Sequence, residues 1–286
     1  MTSEEFVEEI IGSEICPHDF VNVYSAFSTF QSLVLMTLKE FHRICEQSKI
    51  PYQLAFGSLL GFIRDEGQIP WDYDADVIVP YSYRSKLIEA LETKLDSKYY
   101  FRSIENDNTC EHVIIRLFPV GYNSQVLHLD VFFLTGLPDD YKKAVKHKRR
   151  IKLYTLLLKA KRFTSRNSKT ASAKEKIKMM CYKLLGLFYS ENRIIHDYHM
   201  NAGKFPLEKS KKCCLADRMN YLFYYDTMLF CETVIVEKGI GKYRVPIRYK
   251  DILSLRYGSY LSVPPAQERI AELYKNYLFF VKFGKL

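Results

Sequence analysis

The chain has 286 residues, 48% of them hydrophobic and 26% charged, with 42 Lys/Arg against 33 Asp/Glu for a net charge of +9. This is ordinary globular composition and enough length to bury a sizeable core, which excludes a disordered or fibrous chain. No apolar stretch reaches the roughly 18 residues of a bilayer span, and the opening MTSEEFVEEIIGSEI is acidic where a signal peptide is basic and then apolar. Seven cysteines, odd in number, without C-x-x-C spacing and including the adjacent Cys213-Cys214, are the usage of a reducing compartment. We expect a cytoplasmic protein.

In chain order, residues 1–27 read as a helical arm without visible chemistry. Apolar residues at helical spacing (Phe30, Leu33, Val34, Leu38, Phe41, Ile44) predict a helix over 28–49. Ile50-Pro51 ends it, because the residue before proline is pushed out of the helical region. Residues 52–56 read as a first strand. Gly57 and Ser58 then turn into a short helix over 59–66, closed by Gly67. A strand, a Gly-Ser turn and a helix N-terminus together offer free N–H groups to a phosphate. Alone, that signal is weak.

Next comes Ile69-Pro70-Trp71, followed by three acids in strict alternation, Asp72, Asp74 and Asp76, leading into the apolar Val77-Ile78-Val79. Residues two apart in a strand share a face. Two carboxylates about 4 Å apart repel by roughly 4 kcal/mol at an effective dielectric near 20. An acidic surface turn would explain an isolated D-x-D, but with the Gly-Ser turn upstream a cation bound by Asp74 and Asp76 is the better reading.

An amphipathic helix over 83–95 and strands over 112–118 and 126–134 follow. Asp130 is the only charge in the second of these strands, VLHLDVFFL, and a buried unpaired carboxylate is costly. Its partner is either Arg116 on the neighbouring strand or the cation of Asp74 and Asp76. His128 shares its face and reads as a packing or supporting residue rather than a ligand, since hard oxygen sites seldom use imidazole. A turn over 136–139 closes this core.

From Lys142 to Lys183 sixteen Lys/Arg stand against one acid, Glu175, so this segment alone carries +15. It reads as helical, broken by the polar SRNSKTAS of 165–172. A charge run is usually a solvated face, but one this long and one-signed suits an anionic surface such as a membrane. No RNA- or DNA-reading motif accompanies it, which disfavours nucleic acid. A helix over 183–200 carries His196 and His199. With Cys213 and Cys214 these match no usual zinc spacing. Residues 231–237 read as a strand, 244–246 open a loop, 251–257 form a short helix, and YKNYLFFVKFGKL closes the chain as helix or strand.

The segment LKEFHRICEQSKIPYQLAFGSLLGFIRDEGQIPWDYDADV, residues 38–77, resembles the LicD family, which includes bacterial phosphocholine transferases and fukutin-related ribitol-phosphate transferases. The resemblance continues in HLDVFFLTGLPDD (128–140) and returns in VPIRYKDILSLRYGSYLSVPP (245–265), with Tyr257-Gly258 and Pro264-Pro265 like the family's closing motif. The sequence departs from the family at Phe62-Ile63, usually smaller, and at Tyr73, often a further acid. The resemblance implies an α/β nucleotidyltransferase-type fold, a small mixed sheet flanked by helices. The segments are then the arm (1–27), a catalytic core (28–141), a basic helical part (142–212) and a C-terminal part completing the domain (213–286). It implies Asp74, Asp76 and Asp130 as catalytic metal carboxylates for Mg²⁺ (or Mn²⁺), and Gly57, Ser58, Arg64, Trp71 and Asp72 as donor- or phosphate-binding residues. The implied reaction moves a phospho-alcohol group, phosphocholine or an alditol phosphate such as ribitol phosphate, from a CDP-linked donor to a glycan hydroxyl. The basic segment 142–183 would dock peripherally on an anionic membrane. Two other readings are a nucleotidyltransferase acting on a small molecule and a non-catalytic, membrane-associated assembly factor for glycans.

Overall fold

The structure is a computed structural model that describes residues 1–123, 126–163, 172–220 and 223–283. Helix α1 (Ser3–Ile11) opens with a capping box, in which the Thr2 hydroxyl accepts from the Glu5 N–H and the Glu5 carboxylate accepts from the Thr2 N–H. Helix α2 (Phe20–Ser48) runs unbroken through the start expected at residue 28, because Phe20, Val23 and Phe27 extend the same apolar stripe and are all buried. The N-terminal residues belong to the core as well, with the Phe6 ring 5.4 Å from Trp71 between centroids.

Then come β1 (Gln53–Leu54), α3 (Phe56–Arg64), β2 (Ala75–Pro80), α4 (Arg84–Lys94), β3 (Tyr99–Arg102), β4 (Ile115–Pro119) and β5 (Leu129–Leu137). The sequence did not announce β3, whose four residues are all half-buried and so show no in–out contrast. Of the turn expected at 136–139, Gly136 and Leu137 instead end β5, and the chain bends only past Pro138, at Asp139. Gly136 pairs with Cys213 inside the strand and has no room for a side chain, since a Cβ there would stand 2.8 Å from the Phe205 carbonyl oxygen; Asp140 caps the next helix.

The chain continues as α5 (Tyr141–Lys161), α6 (Ala173–Leu185), α7 (Glu191–Ala202), β6 (Lys212–Leu215), β7 (Tyr225–Asp226), β8 (Thr233–Lys238), β9 (Gly241–Pro246), α8 (Tyr249–Tyr257) and α9 (Ala266–Phe283). The helix expected over 183–200 is two, because Ser190 caps α7 by accepting from the Arg193 N–H. Residues 244–246, expected to open a loop, complete β9, and the end of the described chain is helical. The polar break expected over 165–172 lies outside the described residues apart from Ser172, which caps α6.

The main sheet has the order β1-β2-β5-β4-β3, with β6 beside the second half of β5 and β7 on β6; β8 and β9 form a separate hairpin. Only β2 and β5 pair in parallel among the described strands. All nine residues of β5 are buried, as expected for a central strand covered on both faces. The fold is the mixed α/β architecture expected from the sequence. No described helix is long and apolar enough to cross a membrane.

Candidate active site

The parallel ladder sets Asp76 directly opposite Asp130, and the antiparallel ladder on the other side of β5 sets Arg116 opposite Asp130. Directly opposed residues project to one face, so Asp76, Asp130 and Arg116 form a row across three strands. Asp74 immediately precedes β2 and Asp72 lies two residues further back. The Asp76 main chain is fixed from both sides: its N–H donates to Ser58 Oγ at 2.7 Å, and its carbonyl accepts from the Ala55 N–H at 3.0 Å. The start of α3 is thereby locked to the acid-bearing end of β2.

Gly57 permits a close approach here, since a Cβ would stand 2.9 Å from Asp72 Oδ2. The residue before it, Phe56, has φ +48°, a conformation that costs a bulky side chain energy and is typical of functional turns. The Phe56 ring lies under the Arg256 guanidinium, 4.3 Å from ring centroid to Cζ. Ala55 at the N-cap makes no side-chain hydrogen bond to α3. Alanine is a poor cap, so its side chain leaves the first N–H groups of this helix unsatisfied, and the positive dipole end lies beside Asp72 and Asp76.

Burial and then the charges of Asp72 and Asp130 push the Asp74 carboxyl up to about 8. Burial and then Asp74, Asp130 and Asp72 hold the Asp76 carboxyl well above its usual range, while Arg256 acts on it in the opposite sense. Burial also raises Asp72, which is hydrogen-bonded to Asp74. Asp130 is treated differently. Arg116 Nε and Nη2 donate to its two oxygens at 2.7 and 3.2 Å, and His128 Nε2 lies 3.5 Å from Oδ1. Burial opposes the charge on Arg116, yet its pairing with Asp130 wins and raises its pKa. Burial holds His128 down at about 4, so it sits here as a neutral ring.

Of the residues singled out in the sequence, Asp72, Asp74, Asp76, Asp130, Gly57 and Ser58 are thus brought together. Arg64 and Trp71 are engaged elsewhere. The Arg64 guanidinium is held by both Asp65 oxygens at 2.8 Å and reaches the Ser262 carbonyl. Trp71 is buried, with Arg64 and Arg269 on its ring and its carbonyl accepting from Asn276. His199 is bonded to the Tyr81 hydroxyl, and Cys213 and Cys214 are buried in β6.

Three residues given no site role from sequence join the site. Asp217 follows β6, is pushed up to about 6 by burial, and is close enough to feel the Asp130 charge. Arg256 and Tyr257 end α8 over Phe56; they line an apolar pocket with Phe223, Tyr225, Phe230 and Ile252.

Asp74 and Asp76 are half-buried carboxyls with raised pKa values, Asp74 adding to the rise at Asp76, and no cationic side chain is hydrogen-bonded to either among the described residues. A hard divalent ion suits such a pair. Asp130 spends both oxygens on Arg116, and no group of three His, Cys, Asp or Glu among the described residues stands ready to hold an ion. The fit is therefore to two carboxylates, with Asp130 beside them.

A parallel strand pair bearing opposed acids stands next to a helix start without a side-chain cap. Residues 49–158 match the model of the LicD/FKTN/FKRP nucleotidyltransferase domain. Over 259 aligned residues the chain is 26% identical to the lipopolysaccharide cholinephosphotransferase LicD of Haemophilus influenzae, covering 84% of this chain and 92% of that protein.

Proposed function

We propose that this protein transfers a phospho-alcohol group, phosphocholine in the first instance, from a CDP-linked donor to a hydroxyl of a glycan, of which a lipopolysaccharide is the leading case. The observation that carries this reading is the row of Asp76, Asp130 and Arg116 facing the uncapped start of α3. Likeness to a cholinephosphotransferase supports the choice of group. Asp74 and Asp76 would hold Mg²⁺ or Mn²⁺, which when bound supplies positive charge to the transferring phosphate oxygens.

The remaining work falls to the chain itself. The N–H groups at Gly57 and Ser58 and the Arg256 guanidinium present donors to the donor's phosphates. Asp130, aimed by Arg116, accepts the proton of the acceptor hydroxyl as the hydroxyl oxygen bonds to the phosphocholine phosphorus and the diphosphate P–O bond breaks, releasing CMP. The aromatic wall of Phe223, Tyr225, Phe230 and Tyr257 suits a trimethylammonium group, which binds ring faces. A polyol such as ribitol would ask for polar partners instead, so phosphocholine is favoured over an alditol phosphate. Seven unpaired cysteines suit a reducing, cytoplasmic setting.

The test is to incubate the purified protein with CDP-choline labelled separately in its choline and cytidine halves, Mg²⁺ and a lipopolysaccharide acceptor. Choline label in the glycan, lost in Asp76→Asn, is expected. Cytidine label in the product would make the protein a nucleotidyltransferase, and no transfer from any CDP-alcohol would overturn the proposal.

A further inference from the structure

The longest run of exposed apolar side chains in the described protein lies within the basic segment. Leu187 and Phe188, just after α6, are 73% and 86% exposed, more than any other large apolar residue described. Ile177, Met180, Leu184 and Leu185 on α6 are exposed as well. Helix geometry explains how these residues are sorted. At about 100° per residue, Met179 and Tyr182 share one side of α6; they pack there against Leu156 and Ala160 of α5, with Gly186 buried just beyond. The apolar exposed set spreads over the opposite side. Lys176 and Lys183 fall along one border of that apolar arc, and Lys174 and Lys178 along the other.

The face is one-signed. The only acid of α6, Glu175, lies on the side turned to α5, bonded to Lys159 at 2.7 Å, and the nearby Glu191 is paired with Arg162. A helix anchored on one side, apolar on the other, and bordered by lysines is the arrangement that lies in a bilayer interface: apolar groups enter the acyl boundary while lysines reach the headgroup phosphates. A second copy of this chain fits less well, because a two-fold contact on this face would set lysines against lysines. From sequence, charge alone suggested an anionic surface somewhere along 142–183. The structure places the contact at residues 174–188, reaching five residues past that segment, and adds the apolar ridge.

We propose that α6 and the Leu187-Phe188 step form a membrane-docking face that inserts into an anionic lipid surface. Docking is read without turnover, so it stands or falls separately from the phosphotransfer reading. The experiment is flotation of the full chain with phosphatidylcholine vesicles, with and without one third phosphatidylglycerol, alongside sedimentation velocity in free solution. Binding to the anionic vesicles is expected, weakened but not abolished by salt, because only part of it is Coulombic. The double variant Leu187→Glu/Phe188→Glu should lose about tenfold or more in partitioning. Lys174→Gln/Lys178→Gln should lose mainly the preference for anionic lipid, with Phe188→Leu retaining binding. Three results would overturn the proposal: wild-type protein free of both vesicle types, a double variant that binds like wild type, or a wild-type dimer that the double variant converts to monomer, which would make the face a self-interface.

Discussion

If Asp74 and Asp76 are arranged for a cation, the protein should be electrostatically strained without one. Replacing Asp74 by Asn tests this, because an Asn amide can still donate to Asp72 as the protonated Asp74 carboxyl does. The Asp74 pKa moves from 3.8 to about 8. A raised carboxyl means that the folded state binds more protons than the unfolded one across that window. Stability therefore falls as pH rises from near 4 towards 8. At about 1.4 kcal/mol per pH unit the upper bound is roughly 6 kcal/mol, and relaxation of the half-buried site brings the expected gain of Asp74→Asn at pH 8 to about 2–4 kcal/mol. For a chain of 286 residues the unfolding entropy is about 0.6 kcal/mol/K, so this is a rise of roughly 3–7 °C in Tm. The assay is thermal unfolding of both proteins in chelator from pH 5 to pH 8, repeated with Mg²⁺. Wild type should gain Tm from Mg²⁺, and more at the higher pH. The variant should gain little and should catalyse no transfer. A variant less stable than wild type at pH 8, with an unchanged pH slope and Mg²⁺ response, would refute the reasoning.

Arg116→Met leaves Asp130 buried beside other acids and should cost about 3–5 kcal/mol in urea unfolding; Arg116→Met/Asp130→Leu should recover most of the loss while staying inactive. Arg84 holds Glu105 below the usual carboxylate range against the opposing effect of burial. That stability is present above about pH 4.5 and lost as pH falls through the depressed value, so Glu105→Gln should flatten the acid limb of Tm against pH. Gly61→Ala sets a methyl 2.7 Å from the Ile69 nitrogen and 2.9 Å from the Gly67 carbonyl oxygen. Both are backbone atoms of the loop that carries Asp72, so a cost of about 1–3 kcal/mol by chemical denaturation, with a larger fractional loss of turnover, is expected. Arg256→Gln, beside Asp76 but outside the acid set, should raise KM for the CDP-linked donor while leaving Tm unchanged; an unchanged KM would remove Arg256 from the donor site.

What could be read from the sequence followed local periodicity. The alternation of Asp72, Asp74 and Asp76 before an apolar run placed the acids at a strand entrance, and a lone charge in VLHLDVFFL marked Asp130 as a residue needing a partner. Which partner it takes depends on register, a non-local property, and Arg116 emerged only once β4 and β5 were aligned. Arg64 looked like a phosphate ligand because it stands near the acidic turn, yet its immediate neighbour Asp65 takes its guanidinium. Asp217 and Arg256 could not be found locally. One reaches the site because β6 pairs with β5, the other because α8 returns over Phe56 after the β8–β9 hairpin.

The parallel pairing of β2 with β5 has a kinetic consequence. Parallel neighbours cannot be joined by a tight turn, and contacts between residues as far apart as 76 and 130 form only after a large loop closes. Such high-contact-order pairings are late events in folding. Helices α2 and α4 can be in place while the acids are still strangers to one another. Recovery of transfer activity after dilution from denaturant should therefore lag behind recovery of helical circular dichroism, making catalysis itself the reporter of the last stage of assembly.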